Sequence, residues 1–514
     1  MLFNSYVFIF AFLPAVLAGF HIIGTRINAK SAMAWLVLCS LFFYGWWNPI
    51  YLFLMLASVL VNYSLGLKLA NNPSKLLLAF GITLNLLVLA YFKYANFFVD
   101  SINATLQTSI HLEKIILPLA ISFFTFQQIA YLVDTYRKKT NQHSFLDYCL
   151  FVTFFPQLIA GPIVHHKDML PQFRNKLFGT LKAEHLTIGI SIFILGLFKK
   201  VILADHAGMY ATTIFEAADR GTALTFFEAW AGALSYSFQI YFDFSGYSDM
   251  AIGLARMFGI VLPINFYSPY KAGNIIEFWR RWHITLSNFL RDYLYIPLGG
   301  NRNGSFNRYK NLMLTMLIGG LWHGASWTFV IWGGLHGAFL IINHGWRGMP
   351  QYASLCTNFI FRYFGVLLTF TAVVIAWVIF RAENLETSMQ IYSAMFGGNG
   401  ISLPSFIGTS LGSQAEMLEK FGFSYQGMFS NELIGSRVLL LLSGMFLIVW
   451  LLPNTLDIFK GHNPALGFDQ YSDKNKRSFI TWEPKPLIAL IVAFMATIAI
   501  MFIQKESEFL YFQF

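Results

Sequence analysis

The sequence predicts an all-α polytopic membrane protein, and three observations carry the prediction. Hydrophobic residues make up 56% of the 514, more apolar surface than a soluble fold of this length hides. Charged residues reach only 12%, about half the usual soluble share. Five runs, Leu76–Tyr94, Ile188–Ala204, Tyr363–Phe380, Val438–Leu452 and Pro486–Ile503, are nearly uncharged and approach the ~20 residues that cross a bilayer. The expected architecture is a helical bundle of about eleven spans with re-entrant or interfacial helices among them.

Taken from the N-terminus, Met1–Ile23 lacks the basic start and small-residue cleavage site of a signal peptide and reads as a retained first helix. The loops then orient the chain. Arg26 and Lys30 follow the first span, the turn Trp46–Pro49 holds no basic residue, and Lys68 and Lys75 follow the next span. Lys114 stands beside Glu113 in the loop after that, and Arg137-Lys138-Lys139 come next. Lys and Arg collect in cytoplasmic loops, so this alternation places the N-terminus outside. The net charge of +10 sits in those loops and points to membrane sidedness rather than to nucleic acid.

Phe151–Val164 contains Pro156, Gly161 and Pro162, which break a helix and predict a re-entrant segment. His165 and His166, in the basic stretch His165–Lys182, read as solvated. Arg256–Lys310 mixes arginines with aromatics and glycines, a composition that suits helices dipping into or lying on the bilayer. Arg381–Ser436 reads as an external loop, Asn454–Pro484 as an internal one, and the tail 505–514 as external. Cys39, Cys149 and Cys356 are too scattered for a metal or disulfide framework and read as small buried hydrophobes.

Polar side chains are costly inside lipid, so the place where they gather marks function. They gather between Tyr236 and His344. His323 stands midway through the apolar stretch Leu312–Asn343, among Gly319, Gly320 and Gly324, which permit close approach of a helix or ligand. An imidazole, with an ordinary pKa near ~6.5, suits a general base. A buried histidine bonded to a neighbouring helix fits the same spacing. His283 follows Arg280, Arg281 and two tryptophans, a pattern shared by active-site histidines and interfacial aromatic-basic belts.

Asp243 and Asp249 flank Gly246 near the end of an apolar span, positioned to orient a histidine, bind a cation, cap a helix, or pair with Arg280 or Arg281. His336 and His344 read as structural. Gly299–Gly304 follows Ile296-Pro297-Leu298 instead of opening a helix, so it reads as a turn rather than a phosphate cradle. The sequence shows no P-loop, nucleophile elbow or zinc-type His-Glu spacing, and neither a metal nor a bound cofactor is expected.

Five strings between residues 120 and 340 resemble, in order, the membrane-bound O-acyltransferase family. They are Ile121–Gln127, Phe155–Ile163, Phe242–Ala251, Arg281–Ser287 (Arg-Trp-His-Ile-Thr-Leu-Ser) and Gly320–Gly324 (Gly-Leu-Trp-His-Gly). Within that family the chain looks most like the bacterial alginate O-acetylation branch, whose members modify exported polysaccharide. Related branches act on peptidoglycan or move D-alanine onto teichoic acid. The resemblance implies one transmembrane domain over 1–514, with N-terminal helices 1–115, a catalytic core 116–345 and C-terminal helices 346–514. It implies that His323 is the catalytic histidine and His283 the second one, in a bacterial inner membrane. Phe509–Phe514 resembles a Phe-x-Tyr-x-x-Phe tail of acyl-export systems, in which Tyr511 would carry the acyl group outside. A frayed aromatic membrane anchor fits the same residues.

The expected chemistry is O-acetyl transfer. A cytoplasmic thioester donor, acetyl-CoA or an acyl carrier, binds near Arg280–Lys310, and His323 takes a proton from the acceptor hydroxyl. His283 orients the donor, stabilises developing charge or passes the proton, with Asp243, Asp249, Arg280 and Arg281 as supporting polar residues. The expected partners are a periplasmic O-acetyltransferase, accessory proteins, an exported polysaccharide such as alginate or peptidoglycan, and the bilayer. The rival readings are a non-enzymatic transporter of acyl or glycan carriers, which would also need intramembrane polar residues and predicts transport without acyl turnover, and a scaffold, which would tolerate loss of both histidines.

Overall fold

The computed structural model describes the chain except residues 140–143, 160, 176, 351–357, 404, 426, 428–431, 472–478 and 504–514. Helices build it. Among the described residues the only strands are Ile401–Ser402 and Phe423–Ser424, paired in parallel. Among the described residues five helices are long and apolar enough to cross a membrane: Phe8–Arg26, Ile50–Asn71, Lys75–Leu106, Ala183–Asp219 and Phe359–Arg381. Ala29–Gly45, Gly435–Leu451 and Pro486–Met501 are shorter apolar helices. Phe226–Met257, Gly304–His323 and Trp327–Arg347 have the length but carry more polar residues.

The chain divides into two compact units. One comprises Met1–Phe198, Ser245–Asn265 and Thr455–Phe514; the other comprises Lys199–Phe244 and Phe266–Asn454. These units cut across sequence divisions at 115 and 345.

In the first unit, Ala29–Gly45 begins at Asn28, whose Oδ1 accepts from the Ser31 amide at 2.8 Å, and it packs on Leu13–Arg26. Ile50–Asn71 and Lys75–Leu106 are joined by Asn62 and Asn85, both buried, which exchange amide hydrogen bonds of 3.1 and 2.7 Å. In hydrocarbon neither amide has water as an alternative partner, so the exchange fixes the helix pair. Ala183–Phe198 crosses the Gly246–Met257 part of the long helix through paired glycines. A Cβ on Gly253 would stand 2.6 Å from the Gly189 carbonyl oxygen, and one on Gly196 2.7 Å from the Met250 nitrogen. Only bare backbone permits that approach.

The expected break around Pro156 is present: Phe145–Thr153 and Phe155–Leu158 are short helices separated at Phe154. His166 departs from expectation. It is 2% exposed and meets the rings of Tyr131 and Phe151 edge-on at 6.0 and 6.2 Å. It opens the amphipathic helix His166–Phe173, which turns its apolar side inward, so the local charge misleads. Cys39 and Cys149 are buried free thiols; Cys356 lies outside the described residues.

In the second unit, Lys199–Ala204 forms a π-helical turn leading into Asp205–Asp219. Between Phe266 and Asn303 only short helices form, including Ile275–Trp279 and Ile284–Leu290, and none is long enough to span. Gly299 and Gly300 have φ of 110° and 56°, which makes that segment a turn as expected. The stretch Arg381–Ser436, expected as a loop, is partly folded. Asn384 caps the helix Leu385–Met395 by accepting from the Thr387 amide at 2.8 Å, and two short helices and the strand pair follow. Its Gly and Ser content hides that cap.

Candidate active site

The apolar stretch 312–343 is two helices rather than one. After His323 the backbone of Gly324 is extended, and Ser326 opens the next helix by accepting from the Thr328 amide at 3.3 Å. His323 is therefore the last residue of Gly304–His323, at a hairpin corner instead of mid-helix. The two arms touch through glycines. A Cβ on Gly333 would stand 3.2 Å from the Gly320 Cα, and one on Gly320 would collide with the Phe329 carbonyl oxygen. Gly320→Val is expected to pry the hairpin apart, lowering Tm and turnover together. An unchanged Tm in that variant contradicts this packing.

At the corner, His323 is 7% exposed and lies in an aromatic box. Its ring meets Trp322, Trp332 and Phe380 edge-on, at centroid distances of 4.9, 5.2 and 5.3 Å. Trp322 also meets the His283 ring at 6.3 Å, so one indole stands against both histidines. His323 stands at a helix C-terminus, where peptide dipoles favour positive charge. A site screened from water by aromatic walls strengthens such an effect.

His283 is held by an unusual backbone. Its φ of 42° and ψ of 54° are left-handed, it is 1% exposed, and it precedes Ile284–Leu290. A non-glycine residue in this region costs about 1 kcal/mol and persists only where packing imposes it, a pattern concentrated at functional sites. Phe266 supplies part of that packing at 5.8 Å. The short helix before it is capped by Asn274, whose Oδ1 accepts from the Glu277 amide at 3.0 Å. Glu277 in turn pairs with Arg281 at 2.6 Å, and Arg281 lies over the Tyr267 ring at 5.8 Å. Arg280 is exposed.

The two aspartates part company. Asp243 lies inside Phe226–Met257 rather than at a helix end, and its ion partner is Lys200. Its Oδ1 stands 2.6 Å from Lys200 Nζ, which is also 2.7 Å from Asp205 Oδ1. Asp249 belongs to the other unit and accepts from the Thr455 hydroxyl at 2.6 Å, again a different partner from the arginines. The structure thus brings His283 and His323 together and places the aspartates in other networks. Tyr511 lies outside the described residues.

Sequence reasoning missed Lys200, counted within a nearly uncharged run, although a lysine inside an apolar segment is itself a signal. It also set His336 aside. That ring is fully buried and meets Trp332 at 4.7 Å, one ring beyond His323. His344 lies at the far end of the same helix, in contact with Arg308.

The sequence profile of the membrane-bound O-acyltransferase family matches residues 72–383, which include both histidines and the hairpin. A peptidoglycan O-acetyltransferase of Helicobacter pylori is 47% identical over 435 residues, covering 78% of this chain and 81% of its own. A probable alginate O-acetylase AlgI of Pseudomonas putida is 44% identical over 409 residues, covering 77% and 80%. A teichoic acid D-alanyltransferase of Streptococcus thermophilus is 27% identical over 282 residues, covering 51% and 68%. With its apolar helices and its buried histidine pair, the chain is a multi-pass membrane acyltransferase and belongs to the membrane-bound O-acyltransferase family.

Proposed function

We propose that this enzyme takes an acetyl group from a cytoplasmic thioester, acetyl-CoA, and passes it across the bacterial inner membrane for O-acetylation of an exported polysaccharide. The observation that carries the reading is His323 at its hairpin corner, sharing Trp322 with His283. In this scheme the acceptor hydroxyl oxygen attacks the thioester carbonyl carbon while His323 takes the hydroxyl proton. The C–S bond breaks, the new ester C–O bond forms, and CoA leaves as the thiol after receiving a proton. His283 stabilises the charge that develops on the carbonyl oxygen. The exposed Arg280 and the basic segment running to Lys310 serve the anionic donor. No resident cofactor takes part.

The polymer is alginate in the first reading, in line with the alginate O-acetylase relative. Peptidoglycan is the second, favoured by the 47% identity to a peptidoglycan O-acetyltransferase. Ester-linked acetate on each glycan, compared between a deletion strain and its complemented parent, separates the two. A periplasmic O-acetyltransferase receives the group, with Tyr511 as the acyl relay between them. Tyr511→Phe removes the hydroxyl of the relay and is expected to abolish both acetyl transfer from the donor and glycan acetylation. Full glycan acetylation in that variant leaves the tail as a membrane anchor. The experiment for the reaction itself uses purified protein with radiolabelled acetyl-CoA, where transfer absent from wild type overturns the proposal.

A further inference from the structure

His336 is 0% exposed, and among the described residues neither of its ring nitrogens has a hydrogen-bond partner. Aromatic rings enclose it: Trp332 at 4.7 Å, Trp279 at 5.2 Å, Phe339 at 5.7 Å and Phe278 stacked at 6.2 Å. Among the described residues the buried indole nitrogens of Trp279 and Trp332 have no acceptor either, and those rings stand 5.9 Å apart. Three polar side chains therefore share one aromatic box and do not satisfy one another. Buried polar groups left without partners destabilise a fold, so a box that only needed filling would be served better by phenylalanine at 336.

The inventory of hydrogen-bonding atoms defines what fits. Two indoles offer one N–H each, and a neutral imidazole offers one N–H and one bare nitrogen. Donors outnumber acceptors, which suits a carbonyl or hydroxyl oxygen and disfavours a cation. Trp332 also meets the His323 ring at 5.2 Å, so the box adjoins the reacting histidine.

We infer that His336, Trp279 and Trp332 hold a substrate oxygen beside His323, either the thioester carbonyl of the donor or the hydroxyl of the acceptor. This inference rests on the proposed acetyl transfer and adds the group that positions its oxygen.

The test compares wild type, His336→Phe and His336→Gln as full-length purified proteins, measuring Tm, kcat and KM with acetyl-CoA. His336→Phe is expected to keep or raise Tm, because it removes orphaned polar atoms, while kcat/KM falls about 10- to 100-fold. His336→Gln, which keeps a donor and an acceptor, is expected to recover part of that loss. Trp332→Phe deletes one N–H while keeping an aromatic ring, and it gives the same reading should His336→Phe fail to fold. If the oxygen belongs to the donor, hydrolysis of acetyl-CoA without acceptor falls too; if it belongs to the acceptor, only transfer falls. Turnover within twofold of wild type in both His336→Phe and Trp332→Phe overturns the inference and leaves the parent reaction standing. Absence of turnover in wild type overturns both.

Discussion

Replacing His323 with glutamine is expected to lower acetyl turnover by about 10²–10⁴-fold, the usual worth of a positioned general base, while Tm stays near wild type. Glutamine nearly fills the space of the imidazole and hydrogen-bonds, but it cannot take up a proton near neutral pH. The surrounding rings of Trp322, Trp332 and Phe380 make edge contacts that a flexible amide still satisfies. A histidine kept only for packing would therefore show a small loss in both measurements. His283→Gln is expected to lower kcat less, because that residue is assigned to charge stabilisation rather than to proton transfer. Glutamine also carries a donor able to face the same oxygen.

Lys200→Met is expected to destabilise the second unit by about 3–5 kcal/mol, read as a clear fall in Tm. The Lys200 ammonium stands 2.6 Å from Asp243 and 2.7 Å from Asp205, and the Lys200 and Asp243 side chains are 3% and 1% exposed. Removing the ammonium takes away the cation that the buried Asp243 and the 18% exposed Asp205 share. Asp243→Asn is expected to cost less, because Lys200 keeps Asp205 as a partner. Equal losses from the two variants contradict this account of the cluster. The network sits where Ala183–Phe198 passes into its π-helical turn, a distortion that brings Lys200 inward.

Several features of this architecture were legible in the sequence because they depend on local pattern. The apolar helices follow from uninterrupted hydropathy, and the short helices between Phe266 and Asn303 follow from arginine, glycine and proline punctuation. The histidine pair was legible through the ordered strings that hold it, although the apolar run around His323 alone left its role open. What escaped was set by partners far away in the chain. Asp243 was weighed against the neighbouring arginines, yet its cation arrives from Lys200 on another helix. His336 looked structural because nothing near it in sequence reveals Trp279, and only the fold puts those rings side by side. The hairpin corner lay between the two cases. Gly324 followed by Ser326 is a stop-and-start signal, but unbroken hydropathy from Leu312 to Asn343 overrode it.

The most direct measurement follows radiolabelled acetate from acetyl-CoA into an O-ester, using purified wild-type protein in sealed vesicles beside His323→Gln of matched Tm. Wild type is expected to give hydroxylamine-sensitive ester label and the variant only background label. Wild-type ester formation by His323→Gln would contradict that expectation.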